Sequence, residues 1–388
     1  MKKSIHIARR MRHIEPFHVM ELLAKARAIE ATGGSVVHME IGEPDFPTPQ
    51  PMVTAGIEAL REGHTHYTPA MGLASLREAI ADYYLNRYRT VVDPQRIIIT
   101  PGASGALQLV MGVLINPGDQ LLMADPGYPC NRHFLRQYEG EPISVPVTAD
   151  SGYQLTAALM QQYWSERCVG ALLASPSNPT GTLISTQELQ AMVDYTLERD
   201  AILIVDEIYH GLTYEGDAQT ALALGDNVVV INSFSKYFGM TGWRLGWLVA
   251  PEGYVRALDK LAQNIFLAAA TPSQYAGLAA FKPEALRILA SRREIFRHRR
   301  DFLLPALRDM GFDIPLTPQG AFYLYANCER FTQDSFSFAH RLLSEAGVAI
   351  TPGIDFGRYQ AERHVRFAYT TSIEQLELGV DRLKRFLY

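Results

Sequence analysis

Between residues 96 and 249 the chain repeats one pattern: a short unbroken apolar run, a turn, and a longer amphipathic stretch. The runs at 96–100, 120–124, 169–174, 201–205, 227–231 and 245–249 are too short for amphipathic helices. They also lack the alternation expected of a sheet with one wet face. They read as strands buried on both faces, and such strands need helices between them as cover. Residues 104–114 and 186–197 read as two of those helices. The pattern predicts an α/β fold: a mostly parallel sheet flanked by helices. Beyond residue 284 the pattern changes to a long charged helix (284–310), a strand (321–325), a helix (335–346), strands at 348–351 and 364–369, and a helix (373–386). This reads as a smaller α+β unit. With 388 residues the chain exceeds a single compact core. We expect a large domain over 46–285 and a small domain built from 1–45 and 286–388. The boundary near 285 falls within a continuous helix instead of a linker.

Several function classes are excluded early. A net charge of -5 gives no electrostatic reason for nucleic acid or a membrane surface as partner. No apolar run is long enough to span a bilayer. The Met1-Lys2-Lys3 start resembles a signal peptide, but Arg9, Arg10, Arg12, His13 and Glu15 interrupt any apolar core, so a cytoplasmic location is expected. Cys130, Cys168 and Cys328 are far apart and form no CxxC pair, which argues against zinc or a disulfide framework and suits a reducing compartment. No GxGxxG opens a strand-to-helix turn, which disfavours a nicotinamide enzyme.

The densest chemical signal is Ser233-Phe234-Ser235-Lys236-Tyr237-Phe238-Gly239-Met240-Thr241-Gly242-Trp243-Arg244-Leu245-Gly246. Lys236 follows a buried strand and sits among small and aromatic residues. Desolvation lowers the pKa of an amine, and an amine so activated forms a Schiff base with an aldehyde. Ser233, Ser235 and Arg244 supply two hydroxyls and a guanidinium suited to a phosphate dianion. Without its flanks, Ser-x-Ser-Lys is more often a strand exit with a surface lysine. Four further segments also have ordinary structural readings. Asp206, at the end of the 201–205 run, could simply cap the next helix. Ser175-Pro176-Ser177-Asn178-Pro179-Thr180-Gly181 is a turn. Thr100-Pro101-Gly102-Ala103-Ser104 is a helix start, whose free N–H groups also bind anions. In Asp125-Pro126-Gly127-Tyr128-Pro129 the tyrosine could merely pack over a turn.

Taken whole, the Lys236 segment resembles the lysine signature of class I/II aminotransferases dependent on pyridoxal 5'-phosphate (PLP), proteins of fold type I. The likeness extends from about Pro16 to the end, and the other segments fall in the family's order. It implies that Lys236 carries PLP and that Ala103, Ser104, Ser233, Ser235 and Arg244 bind the phosphate. Asp206 would hold the pyridine nitrogen, Tyr209 and Asn178 the ring oxygen, and Tyr128 would stack on the ring. Glu207, beside Asp206, is left a capping or supporting role. Gly42, in Ile41-Gly42-Glu43-Pro44-Asp45-Phe46, and Asn178 would meet the substrate carboxylate. Arg366 would grip it, with Arg358 and Arg363 as neighbouring alternatives. The Asn178-Pro179 bond is expected to be cis by the same likeness. Tyr67, in His66-Tyr67-Thr68-Pro69, would reach the phosphate of a neighbouring subunit, which implies a homodimer with shared sites.

The expected reaction is transfer of an amino group from an L-amino acid to a 2-oxo acid through a Lys236 Schiff base. A PLP-dependent carbon–sulfur β-lyase or synthase would use the same lysine and aspartate. A non-catalytic PLP-binding regulator is the alternative of another class, disfavoured because too few residues precede Pro16 for a helix-turn-helix. A dicarboxylate donor calls for a second cation, yet no lysine or arginine lies between Ser104 and Arg132. That weighs against a strict aspartate specialist and leaves alanine, aromatic, methionine or branched donors.

Overall fold

The computed structural model describes residues 5–388, so the Met1-Lys2-Lys3 start lies outside the described residues. Among the described residues twelve strands occur in chain order: β1 (Val37–His38), β2 (Ile97–Thr100), β3 (Gln120–Asp125), β4 (Glu141–Pro146), β5 (Cys168–Ala174), β6 (Ile202–Asp206), β7 (Val228–Ser233), β8 (Gly246–Val249), β9 (Tyr323–Asn327), β10 (Val348–Ala349), β11 (Thr351–Pro352) and β12 (His364–Ala368). Seven form the central sheet in the order β2-β8-β7-β6-β5-β3-β4. Neighbours from β7 through β4 pair in parallel, while β8 pairs antiparallel with both β7 and β2.

Both faces of this sheet are dry. Ile202 and Ile204 enter one apolar core while Leu203 and Val205 enter another; Val229 and Ile231 likewise part from Val228 and Val230. Successive strand residues point to opposite faces, so a strand with apolar neighbours on both sides must be apolar at every position. Each such Val, Ile or Leu contributes about 1.5–3 kcal/mol when fully buried. The helices Gly102–Leu114 and Glu252–Ile265 cover the Ile204 face, and Ala157–Tyr163 with Thr186–Leu197 cover the other.

The remaining strands form a two-stranded parallel pair, β1 with β10, and an antiparallel sheet β11-β12-β9. One helix, Pro283–Met310, runs unbroken past residue 285 and ends on Gly311 in the left-handed conformation. Among the described residues no helix is long and apolar enough to cross a membrane.

The structure corrects several expected boundaries. The expected strand at 348–351 is two strands: Val348–Ala349 joins β1, then the chain turns at Ile350 so that Thr351–Pro352 joins β12. The expected helix at 335–346 is regular only over Ser335–Arg341 and closes with a wider π turn, Leu342–Ala346. The strand expected at 321–325 begins at Tyr323, because Ala321 has a φ of 57°. β4 carried no strand signal because it is an edge strand: Pro142 and Pro146 are tolerated there, where no neighbour needs their missing N–H groups.

Candidate active site

The site residues collect along one edge of the central sheet. Parallel strands all release their chains at the same edge, which is where open α/β sheets bind ligands. β2 is followed by Gly102, Ala103 and Ser104, β3 by Tyr128, and β5 by Asn178. β6 ends on Asp206 and leads to Tyr209; β7 ends on Ser233 and leads to Ser235 and Lys236. β8 runs the other way, so Arg244, two residues before it, returns to the same edge. Gly102 has a φ of 68°, and a side chain there would strike the Arg244 guanidinium. Glycine thus serves both the backbone turn and the close seating of the cation on the helix start.

These residues surround a cavity of about 270 Å³. Every residue expected at the site lines it except Tyr67, whose side chain lies on the surface, 83% exposed. At one end, the Ser233 hydroxyl donates to Ser235 Oγ at 3.0 Å, and Arg244 Nη1 approaches that oxygen at 3.4 Å. The first turn of Gly102–Leu114 presents the backbone N–H groups of Ala103 and Ser104, which have no intrahelical acceptor. Hydroxyls, a guanidinium and a helix start together make an anion site.

At the centre, Lys236 Nζ donates to the Gly42 carbonyl at 2.6 Å. Burial disfavours its charged form and lowers its pKa to about 8, against an opposing pull from Glu43 and with help from Arg366 and Arg244. Burial also drives the Asp206 carboxyl up to about 7, although it accepts a hydrogen bond from the Ile208 N–H at 3.0 Å. A cation placed against Asp206 would restore its ionised form. Glu207 points elsewhere: its carboxylate accepts from the Thr220 hydroxyl and the Ala221 N–H and caps the turn Ala221–Ala223.

Arg366 is buried at the far side. Its Nη1 donates to Asn178 Oδ1 at 2.8 Å, and Nη2 donates to the Glu40 carbonyl and to Thr351 Oγ1. The guanidinium lies 4.3 Å from the ring centre of Tyr323 and 4.7 Å from that of Phe356. Its Nε is buried without a hydrogen-bond partner. The alternatives sit on the surface: Arg358, 84% exposed, pairs with Glu15, and Arg363 pairs with Glu329. The Asn178-Pro179 bond is cis.

Sequence reading missed Tyr323, Thr241, Phe17, Val19 and Met20, all of which line the cavity. The Tyr323 hydroxyl is 2.8 Å from that of Tyr209, and a side chain at Gly42 would collide with it. Its strand was legible, but apolar residues on both faces hide which face meets the site. Phe17 and Met20 flank a helix start more than 200 residues from Lys236, with no local chemical signal.

Residues 35–383 match the family described as aminotransferase class I and II. The chain is 38% identical over 384 residues to a (5-formylfuran-3-yl)methyl phosphate transaminase of Methanocaldococcus jannaschii, covering 98% of this chain and 99% of that one. It is 38% identical over 376 residues to a valine–pyruvate aminotransferase of Mycobacterium tuberculosis, covering 96% and 97%. The crystal structure of an aminotransferase from Mycobacterium tuberculosis superposes with a TM-score of 0.96 at 37% identity, covering 99% of each chain.

Proposed function

The chain belongs to the aminotransferase class I and II family and is a PLP-dependent transaminase; from that premise we propose that Lys236 is the point of cofactor attachment and the base that moves the substrate α-proton. The residues present suit such a group. Ser233, Ser235, Arg244 and the N–H groups of Ala103 and Ser104 would hold the phosphate. Asp206 would hold the ring nitrogen, Tyr209 and Asn178 the ring oxygen, and Tyr128 the ring face. When bound, PLP supplies an electron sink that makes the substrate α-proton acidic.

The rest is the work of the protein's own side chains. Arg366 and Asn178 orient the α-carboxylate, with the Gly42 backbone alongside. Lys236, held by the Gly42 carbonyl, takes the α-proton and returns it on the cofactor side. An amine with a pKa near 8 changes protonation state easily at neutral pH, as a general base must. The observation that carries this reading is the buried guanidinium of Arg366 lining the same cavity as the Lys236 amine. A carboxylate that enters the cavity meets a charged donor there.

The test is a half-reaction. The loaded protein, given an amino acid and no oxo acid, is expected to release one 2-oxo acid per site and stop. Continued release of pyruvate and ammonia from an amino acid with a sulfur leaving group on its β-carbon, such as cystathionine, would instead mark a β-lyase.

The same proposal includes a homodimer in which Tyr67 reaches the neighbouring site. Its support is the exposure of Tyr67 together with the exposed apolar residues Ile57, Leu60 and Leu267. A sedimentation mass of one chain would sink it. It also includes the division into residues 46–285 and 1–45 with 286–388, supported by the separate central and antiparallel sheets. The unpaired thiols Cys130, Cys168 and Cys328 support a cytoplasmic location.

A further inference from the structure

The transaminase reading leaves the donor open, and the cavity wall narrows it. Arg366 fixes where an α-carboxylate sits, and Lys236 fixes where the α-carbon must come. Among the lining residues assigned neither to the cofactor nor to the carboxylate, Phe17, Val19, Met20 and Ile41 form an apolar group, with Glu43 exposed at the edge and the ring-facing Tyr128 adjoining Phe17. Phe17 stands edge-on to Tyr128, with ring centres 6.5 Å apart and planes at 85°. Met20 is 53% exposed at its margin, and its flexible thioether adapts to different shapes.

This wall is fixed in place. The N–H groups of His18 and Val19 each donate to the Asp355 carboxylate at 2.9 Å, which anchors the first turn of the helix His18–Ala31. Arg132 is the cation nearest in sequence to Tyr128, and its Nη2 is taken up by the Asp355 carbonyl at 2.8 Å. Among the described residues the only cations lining the cavity are Lys236, Arg244 and Arg366, and each already has a role. A carboxylate on the substrate side chain would therefore face apolar groups and find no uncommitted cation of this chain to pair with, which is unfavourable.

Resting on the transaminase reading, we infer that this wall is an apolar side-chain subsite and that the amino donor carries an aliphatic, thioether or aromatic side chain instead of a carboxylate. One cavity serves donor and acceptor, so donors are compared best in the half-reaction without an oxo acid. The loaded protein is expected to turn over leucine, methionine or phenylalanine at least ~10-fold more efficiently than aspartate or glutamate, a ratio within the reach of one pocket contact. Phe17→Ala is expected to lower the leucine-to-alanine efficiency ratio ~10-fold, mainly through the concentration dependence, and Phe17→Leu to restore most of it. Because a truncation could disturb the helix start, a second readout uses the wild-type protein. α-Methyl-leucine and α-methyl-aspartate have no α-proton to lose, so they report binding alone through the change in cofactor absorbance. α-Methyl-leucine is expected to bind at least ~10-fold tighter. If aspartate or glutamate wins and a 2-oxo acid is released, the apolar subsite is wrong and the transaminase reading stands. Equal efficiency for both classes also overturns the subsite. If no donor yields a 2-oxo acid but α-methyl-leucine still binds tighter, the subsite stands and the transaminase reading falls.

Discussion

Lys236→Ala is expected to lower kcat by at least ~10³-fold, within the range attributed to a positioned general base. The side chain is half-buried, and a neighbouring carbonyl holds its amine in the cavity. Of the other titratable groups lining the cavity, Tyr128, Asp206, Tyr209 and Arg244 are assigned to cofactor contacts and Arg366 to the carboxylate, burial holds the Tyr323 phenol in its neutral form, and Glu43 lies exposed at the edge. That leaves Lys236 to take the α-proton. The variant should still bind PLP without a covalent bond, because Asp206, Ser233, Ser235 and Arg244 are untouched. A small primary amine added in excess should restore part of the rate, since the alanine leaves room for it. Steady-state kinetics with and without methylamine checks both points. Retention of a tenth or more of the wild-type kcat would mean that another base operates.

Arg366→Lys is expected to raise the KM for the amino donor by about 100-fold, with a smaller fall in kcat. The planar guanidinium bonds Asn178, Glu40 and Thr351 from the cavity wall. Lysine retains the charge but cannot reproduce the fork. Losing a charge-assisted contact of about 1.5–3 kcal/mol corresponds to roughly 10- to 100-fold in affinity. Lysine is preferred to alanine here because alanine would leave the buried Glu40 carbonyl and Asn178 oxygen without a donor and so destabilise the fold. A melting curve close to wild type should accompany the kinetics. A KM within about threefold of wild type would remove Arg366 from carboxylate binding.

How much of this was legible in the sequence differs from residue to residue. Asp206 ends an apolar run and Lys236 lies just past one, and a parallel sheet gathers such positions at one edge, but their roles were readable only from the likeness of their segments to the family. Arg244 was readable only from its place in the fourteen-residue segment, since its arrival at that edge depends on β8 running antiparallel, a direction no apolar run reveals. Arg366, Arg358 and Arg363 could not be separated by alternation. Their difference lies in burial, which comes from the pairing of β12 between β9 and β11. Phe17 and Met20 carry no reactive group. They reach the cavity because the Asp355 carboxylate, more than 330 residues away in sequence, anchors their helix. The side-chain subsite was therefore the least legible part of the site, and the cofactor end the most.

The central claim is that one lysine, activated by burial, holds the cofactor. Its most direct measurement is pH-dependent trapping. Cofactor-free protein is exposed briefly to PLP, reduced with borohydride, digested and mapped by mass spectrometry. Only the neutral amine attacks an aldehyde, so lowering the pKa shifts labelling to lower pH. Burial brings Lys236 down to about 8; at pH 7 about a tenth of it is then neutral, against roughly one part in 2,500 for an ordinary lysine. We predict a single modified peptide carrying Lys236, labelled with a midpoint near pH 8. A label distributed over surface lysines, or a Lys236 midpoint near the ordinary value of about 10.4, would contradict the account.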